Sequence, residues 1–221
     1  MTELLQYEKI RLLDIRSEQI EDWQEEGASH IRVTLPASAA TEIAMQKRGF
    51  FWADRTLGVS ISLRRSKLDF ESLVRLEIEE TDRCREDILR IARASFPDDR
   101  RFHVGLTPDP RIADAILSKW VEELDDCLIC RHKGTVIGFL ALEKQSEQIQ
   151  FIRLAAVEEK YRMSGAAMSL DAKAALLCGE RGIDKLNGRI SARNVAVMNL
   201  YAFLGGVFSA PEDVFLKETG K

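Results

Sequence analysis

The sequence predicts an α/β fold of the α+β kind: a mixed, mostly antiparallel sheet flanked by helices, with a small N-terminal α/β half. Three observations lead there. Residues 127–157 contain three consecutive strand-like runs. The chain after them alternates helix, strand, helix and strand. A strand–helix–strand pattern near the C-terminus also recurs near the N-terminus. Antiparallel runs that flow into strand–helix–strand units require a sheet covered on both faces. The expected division is a small domain over residues 1–68 and a larger one over 69–221, the two joined by the charged stretch "RRSKLDFES".

Taken in order, "KIRLLDI" and "HIRVTLP" read as strands, with a polar helix near "SEQIEDWQEE" between them. "SAATEIAMQKRG" is a short helix and "FFWADRTLGVSISLRR" a long strand or hairpin. "DILRIARASF" has helical spacing. The loop "PDDRRFHVGLTPDP" follows. In "RIADAILSKWVEEL", Ile112, Ile116, Trp120 and Leu124 recur every four residues, again a helix. "CLICRH", "TVIGFLALE" and "QIQFIRLAAV" are strands, and Lys133-Gly134 suits the hairpin between the first two. A helix then runs to about Arg181, with Gly182 as a natural residue beyond its C-cap. "DKLNGRIS", "NVAVMNLYAFLG" and "VFLKE" complete the chain as strand, helix and strand. Aligning Asn194 with Ser38 puts Gly205 on Gly49 without a gap and Tyr201 on Met45. Either a unit has been duplicated and has diverged, or two glycine-capped helices precede strands by coincidence.

Composition narrows the function. The 221 residues are 45% hydrophobic and 31% charged, with a net charge of -4 and no basic block, so nothing suggests nucleic acid as a partner. Charges interrupt the apolar positions of "MTELLQYEKIRLLDIRS", unlike a signal peptide core. No apolar run approaches the ~20 residues of a membrane span. The expectation is a soluble, cytoplasmic protein without a membrane partner. "CLIC" places Cys127 and Cys130 three apart on a strand, where they point to opposite faces. No second CxxC or HxxxH completes a metal site, so no metal is expected.

The segment "YRMSGAAMSL" carries the chemistry. The first N–H groups of a helix lack intrahelical partners, and the dipole adds positive charge there. An anion binds if its oxygens can approach the backbone, and Gly165, Ala166 and Ala167 allow that approach. Arg162 adds a fixed charge. The plainer alternative is Ser164 as an N-cap and Gly165 as a turn residue. Further on, Asn194 opens a helix and Tyr201 follows two turns later.

Together these elements resemble the GNAT superfamily of acetyl-coenzyme A-dependent N-acetyltransferases. The resemblance covers about Leu73 to the end. Val157 ends the strand before the loop. Arg162-Met163-Ser164-Gly165-Ala166-Ala167 matches the R/Q-x-x-G-x-G/A loop, and Asn194, Tyr201 and Gly205 match the later helix. Val197 replaces the usual alanine, and Gly206 replaces the aromatic after the final glycine. The resemblance implies the GNAT fold, with residues 1–68 as a degenerate half of such a unit. It implies acetyl-CoA held by Ala155, Ala156, Val157, residues 162–167 and Asn194, and Tyr201 as the acid that protonates the leaving thiolate. The acceptor would be a small-molecule primary amine. "RFH" and "DPRI", before a helix containing Trp120, are similar to the amino-sugar subgroup that includes dTDP-fucosamine acetyltransferase. That implies Arg101, Phe102 and His103 at the acceptor, here the amine of a nucleotide-linked amino sugar. Glu143 and Glu147 lie near candidate strands, but no base is identified. Other amines, a non-catalytic acyl-CoA-binding role, and a homodimer remain open.

Overall fold

The structure is a computed structural model that describes residues 2–7, 10–16, 27–97, 99–107, 109–124 and 126–219. Its strands are β1 (Thr2–Tyr7), β2 (Ile10–Ile15), β3 (His30–Pro36), β4 (Phe51–Ser62), β5 (Glu77–Thr81), β6 (Asp126–His132), β7 (Thr135–Ser146), β8 (Ile149–Val157), β9 (Lys185–Ser191) and β10 (Val207–Glu218). The helices are α1 (Ala39–Lys47), α2 (Phe70–Leu73), α3 (Arg85–Ser95), α4 (Pro110–Glu122), α5 (Ala166–Glu180) and α6 (Val195–Phe203). All ten strands form one sheet, in the order β1-β2-β3-β10-β4-β9-β8-β7-β6-β5. Strands from both sides of residue 68 therefore share that sheet. Its pairings are antiparallel except β2–β3 and β8–β9.

Side-chain alternation along β7 divides the core. Phe139 and Ala141 pack with Ile88, Ile91, Ile116 and Phe102 beneath α3 and α4. Leu140 and Leu142 pack with Leu170, Ala174 and Tyr201 beneath α5 and α6. A third cluster joins Met45 of α1 to Val33, Leu35, Phe50 and Phe215. Cys127 lies in the first cluster and Cys130 in the second, on opposite faces as their spacing requires. Lys133 and Gly134 both have positive φ, the conformation of a type I′ hairpin turn.

The two strand–helix–strand units correspond closely. Ala39 falls on Val195 and Lys47 on Phe203; Phe51 falls on Val207 and Ser62 on Glu218. The helices have nine residues each and the last strands twelve. Ser38 accepts from the Thr41 N–H, and Asn194 from the Val197 N–H. Each unit's last strand crosses into the other unit: β10 pairs with β3, and β4 pairs with β9.

Three strands differ from the sequence expectations, and α2 is a short helix at the end of the stretch read as a linker. β5, "EIEET", is an edge strand whose one apolar residue, Ile78, gives no readable alternation. β1 precedes "KIRLLDI" as its antiparallel partner. β10 begins well before "VFLKE", because a register shift between Phe208 and Pro211 lets the strand continue past the proline. The helix expected at "SEQIEDWQEE" lies outside the described residues.

Gly206 is explained by contact. Its N–H donates to the Tyr201 carbonyl at 2.8 Å, and a Cβ there would lie 2.8 Å from that oxygen and 2.8 Å from Val59 Cγ2. An aromatic side chain therefore has no room. The aligned position in the first unit is Phe50, which is buried. Gly206→Ala is expected to lower stability by about 1–3 kcal/mol through overpacking, read as a lower urea midpoint.

Candidate functional site

The site forms where two parallel strands part. β8 and β9 pair from Ile149↔Lys185 to Ile152↔Gly188 and no further. The cause lies in β8. Against β7, Leu154 opposes Ala141 and Ile152 opposes Leu142, which leaves Arg153 as an extra, bulged residue. A bulge kinks its strand and increases twist, so β8 swings away from β9 immediately after the last pair. Ala155, Ala156 and Val157 remain paired to β7, while their edge toward β9 is open.

The loop after β8 leads to α5 beside this opening. Gly165 is the N-cap residue with φ 85°, a left-handed conformation that favours glycine. A Cβ built on it would meet nothing within 4 Å, so the space in front of the helix end is clear. Ser164 does not cap the helix. Its hydroxyl donates back to the Tyr161 carbonyl at 2.7 Å. Ser169 is the first residue of α5 to bond within the helix, to the Gly165 carbonyl at 2.9 Å. The N–H groups of Ala166, Ala167 and Met168 therefore have no intrahelical partner. Ala166 is wholly buried, whereas Ala167 and Met168 are partly exposed. Arg162 and Met163 are exposed beside the loop. This is a cradle suited to a pyrophosphate.

Tyr201 points inward from α6 and is buried, with its hydroxyl near Gly188 at the last β8–β9 pair. Burial pushes its pKa well above the ordinary range; Asp171 adds to this and Arg101 opposes it. The hydroxyl therefore holds its proton. Asn194 is exposed and spends its side-chain oxygen on the Val197 N–H.

The 99–107 loop lies across the opposite face of the sheet. Arg32, paired with Asp14 at 2.7 Å, donates to the Arg101 carbonyl at 2.9 Å and fixes the loop. Of the residues expected at an acceptor, Phe102 is instead a core residue, in edge contact with Trp120 and tilted against Phe96. Arg101 is held by Asp99 through two nitrogens. Burial alone would lift the Asp99 carboxyl, but Arg101 overrides it and holds the group below the ordinary range. His103 is buried, and its Nδ1 has no hydrogen-bond partner. Glu143 and Glu147 are exposed and engaged by Arg153 and Lys144.

Two carboxylates that sequence reasoning passed over stand out. Asp54 of β4 accepts from the Ser191 hydroxyl and the Arg55 N–H, both at 2.9 Å, yet burial leaves its pKa raised. It lines a cleft of about 420 Å³ with Trp52, Arg55 and Arg193. Asp171 of α5 is 4% exposed, and its Oδ1 has no hydrogen-bond partner. Burial lifts its pKa to about 7. The readable signal was one acid in the apolar helix "AAMSLDAKAALL". Among the described residues, no group of three or more His, Cys, Asp or Glu is arranged to hold a metal ion, and no helix is long and apolar enough to cross a membrane.

The sequence matches no protein-family model and no curated protein. Solved structures share the fold. A functionally unknown conserved protein from Staphylococcus epidermidis superposes with a TM-score of 0.65 at 14% identity, over 87% of this chain and 74% of that one. A protein from Novosphingobium aromaticivorans assigned as a GNAT-family acetyltransferase gives 0.58 at 14% identity, over 86% and 75%. The glucosamine N-acetyltransferase region of a fungal multi-domain GH3 β-N-acetylglucosaminidase gives 0.63 at 13% identity, over 98% of this chain and 31% of that one. The fold is the GNAT fold.

Proposed function

We propose that this chain transfers an acetyl group from acetyl-CoA to a primary amine. The observation that carries the reading is the parting of β8 and β9, with the uncapped end of α5 at its mouth and Tyr201 at its floor. Acetyl-CoA supplies an activated thioester. The N–H groups of Ala167 and Met168 and the Arg162 side chain would hold its pyrophosphate, and the open edge at Ala155–Val157 would pair with its amides, as an added strand does. A backbone N–H on that edge would stabilise charge on the carbonyl oxygen, an effect typically worth ~3–4 kcal/mol. Tyr201 would protonate the departing sulfur.

The acceptor reading is an amino sugar linked to a nucleotide. The cleft at Asp54 supports it through mixed charge. Asp54 suits the amine as its acceptor of a hydrogen bond and then of a proton. Arg100 stacks over Phe51 at 5.3 Å, and its pKa is lowered by burial and by the like charge of Arg193. Two neighbouring guanidinium groups suit a phosphate oxyanion. The named activity of the fungal structural neighbour is in keeping with an amino-sugar acceptor. Residues 1–68 read as a degenerate copy of the unit, with Met45 where Tyr201 stands.

The test is a panel of amines with acetyl-CoA, followed by thiol release. Turnover is expected, fastest with a nucleotide amino sugar. Activity confined to other amines would sink the acceptor assignment, and coenzyme A binding without any turnover would sink the enzyme reading. Gly165→Ala probes the cradle. A side chain at that φ costs about 1–2 kcal/mol and places a methyl where the phosphate would sit. The dissociation constant for coenzyme A is expected to rise by roughly 10-fold, equivalent to ~1.4 kcal/mol, measured by calorimetry on folded protein.

A further inference from the structure

Helix α6 is apolar on every side. Its sequence, "VAVMNLYAF", carries no charge. The inner side packs on the sheet through Tyr201, with Val197, Met198 and Leu200 partly buried against the same cluster. The outer side is bare. Val195, Ala196, Asn199, Ala202 and Phe203 are all exposed, Val195 at 60% and Phe203 at 55%. A helix that is apolar all round is ordinarily buried, and a contiguous exposed apolar patch marks a contact surface.

Packing within the chain does not require this stripe. Helix α1 holds the corresponding place in the first unit, with the same length and the same kind of N-cap. There Gln46 and Lys47 stand where α6 has Ala202 and Phe203, and all four are exposed. The same position in the same fold therefore accepts polar side chains, and α6 presents apolar ones.

The stripe is symmetric about Asn199. Val195 and Ala196 lie four and three residues before it, Phe203 and Ala202 four and three after it. Residues at these spacings share one helix face. A second copy of α6, antiparallel to the first and related by a two-fold axis at Asn199, sets Val195 and Ala196 of each helix against Ala202 and Phe203 of the other. The alanines make room for the phenylalanine. Asn199 meets its own copy, the amide N–H of each donating to the carbonyl of the other. A single asparagine in an apolar helix contact fixes the register. The charges are complementary as well. The positive N-terminal end of each helix, with Arg193 beside it, lies against the negative C-terminal end of the other.

We infer that this chain forms an isologous homodimer through the outer face of α6. Five residues on each side make a small contact, at the low end of interface sizes, so the association is weak and reversible.

Sedimentation of the full chain at rising concentration is expected to pass from monomer to dimer. Phe203→Glu should raise the dissociation constant by roughly 10-fold or more. Phe203 is exposed, so thermal melting of the variant should match that of the unaltered protein. Asn199→Cys should give a disulfide-linked dimer under mild oxidation, because residues on the axis face their own copies. Neither the unaltered protein nor Ile43→Cys, on the exposed face of α1, should do so. A chain that stays monomeric at every concentration overturns the proposal. So does a dimer that Phe203→Glu leaves intact, or one that Ile43→Cys cross-links and Asn199→Cys does not.

Discussion

Tyr201→Phe is expected to lower kcat by about 10²–10⁴-fold, the usual contribution of a general acid, while coenzyme A binding and the folded state persist. The ring of Tyr201 is part of the core cluster with Val59, Leu186 and Leu204, and phenylalanine keeps that packing. What disappears is the hydroxyl near Gly188, where β8 and β9 separate. The open edge of β8, the helix end and the cleft at Asp54 are untouched. The loss should therefore fall on kcat alone, with the thiolate leaving unprotonated. Steady-state thiol release, beside calorimetric titration with coenzyme A, separates the two effects. Unchanged turnover would remove Tyr201 from the acid role.

Asp171→Asn should make the protein more stable at neutral and alkaline pH. The direction follows from the protons bound. The Asp171 carboxyl titrates at about 7 in the folded chain, because burial disfavours its charged form, against 3.8 for an accessible aspartate. Below that lower value both states are protonated and the group has no effect. Between the two values the folded state holds a proton that the unfolded state has released, so stability falls as pH rises. Above 7 the full penalty applies, up to about 4 kcal/mol for a shift near three units. Asparagine matches the shape and carries no charge to desolvate. Urea unfolding midpoints of the two proteins should converge near pH 3.5 and separate steadily toward pH 8. Parallel curves across that range would mean that Asp171 is solvated.

Much of the fold was legible. Helical spacing identified α3 and α4, and the Lys133-Gly134 turn marked the β6–β7 hairpin, because these rest on local periodicity and turn chemistry. The loop at residues 162–167 was legible for the same reason: its small residues and the start of α5 are local facts. β5 was not, since an edge strand of mostly charged residues carries no alternation. Phe102, which the resemblance of "RFH" places at the acceptor, lies in the core, where it meets Phe96 and Trp120.

The sequence by itself therefore determined the local elements, the glycine that opens the end of α5, and the spacing of Asn194, Tyr201 and Gly205. Tertiary structure decided what those elements meet. It placed β10 between β3 and β4, opened β8 from β9 through a bulge at Arg153, set Asp54 in a cleft with Trp52 and Arg193, and buried Asp171 without a partner for its Oδ1. The physical reason is range. Capping, turns and periodicity act within a few residues, whereas desolvation of a carboxyl depends on every chain segment that closes around it.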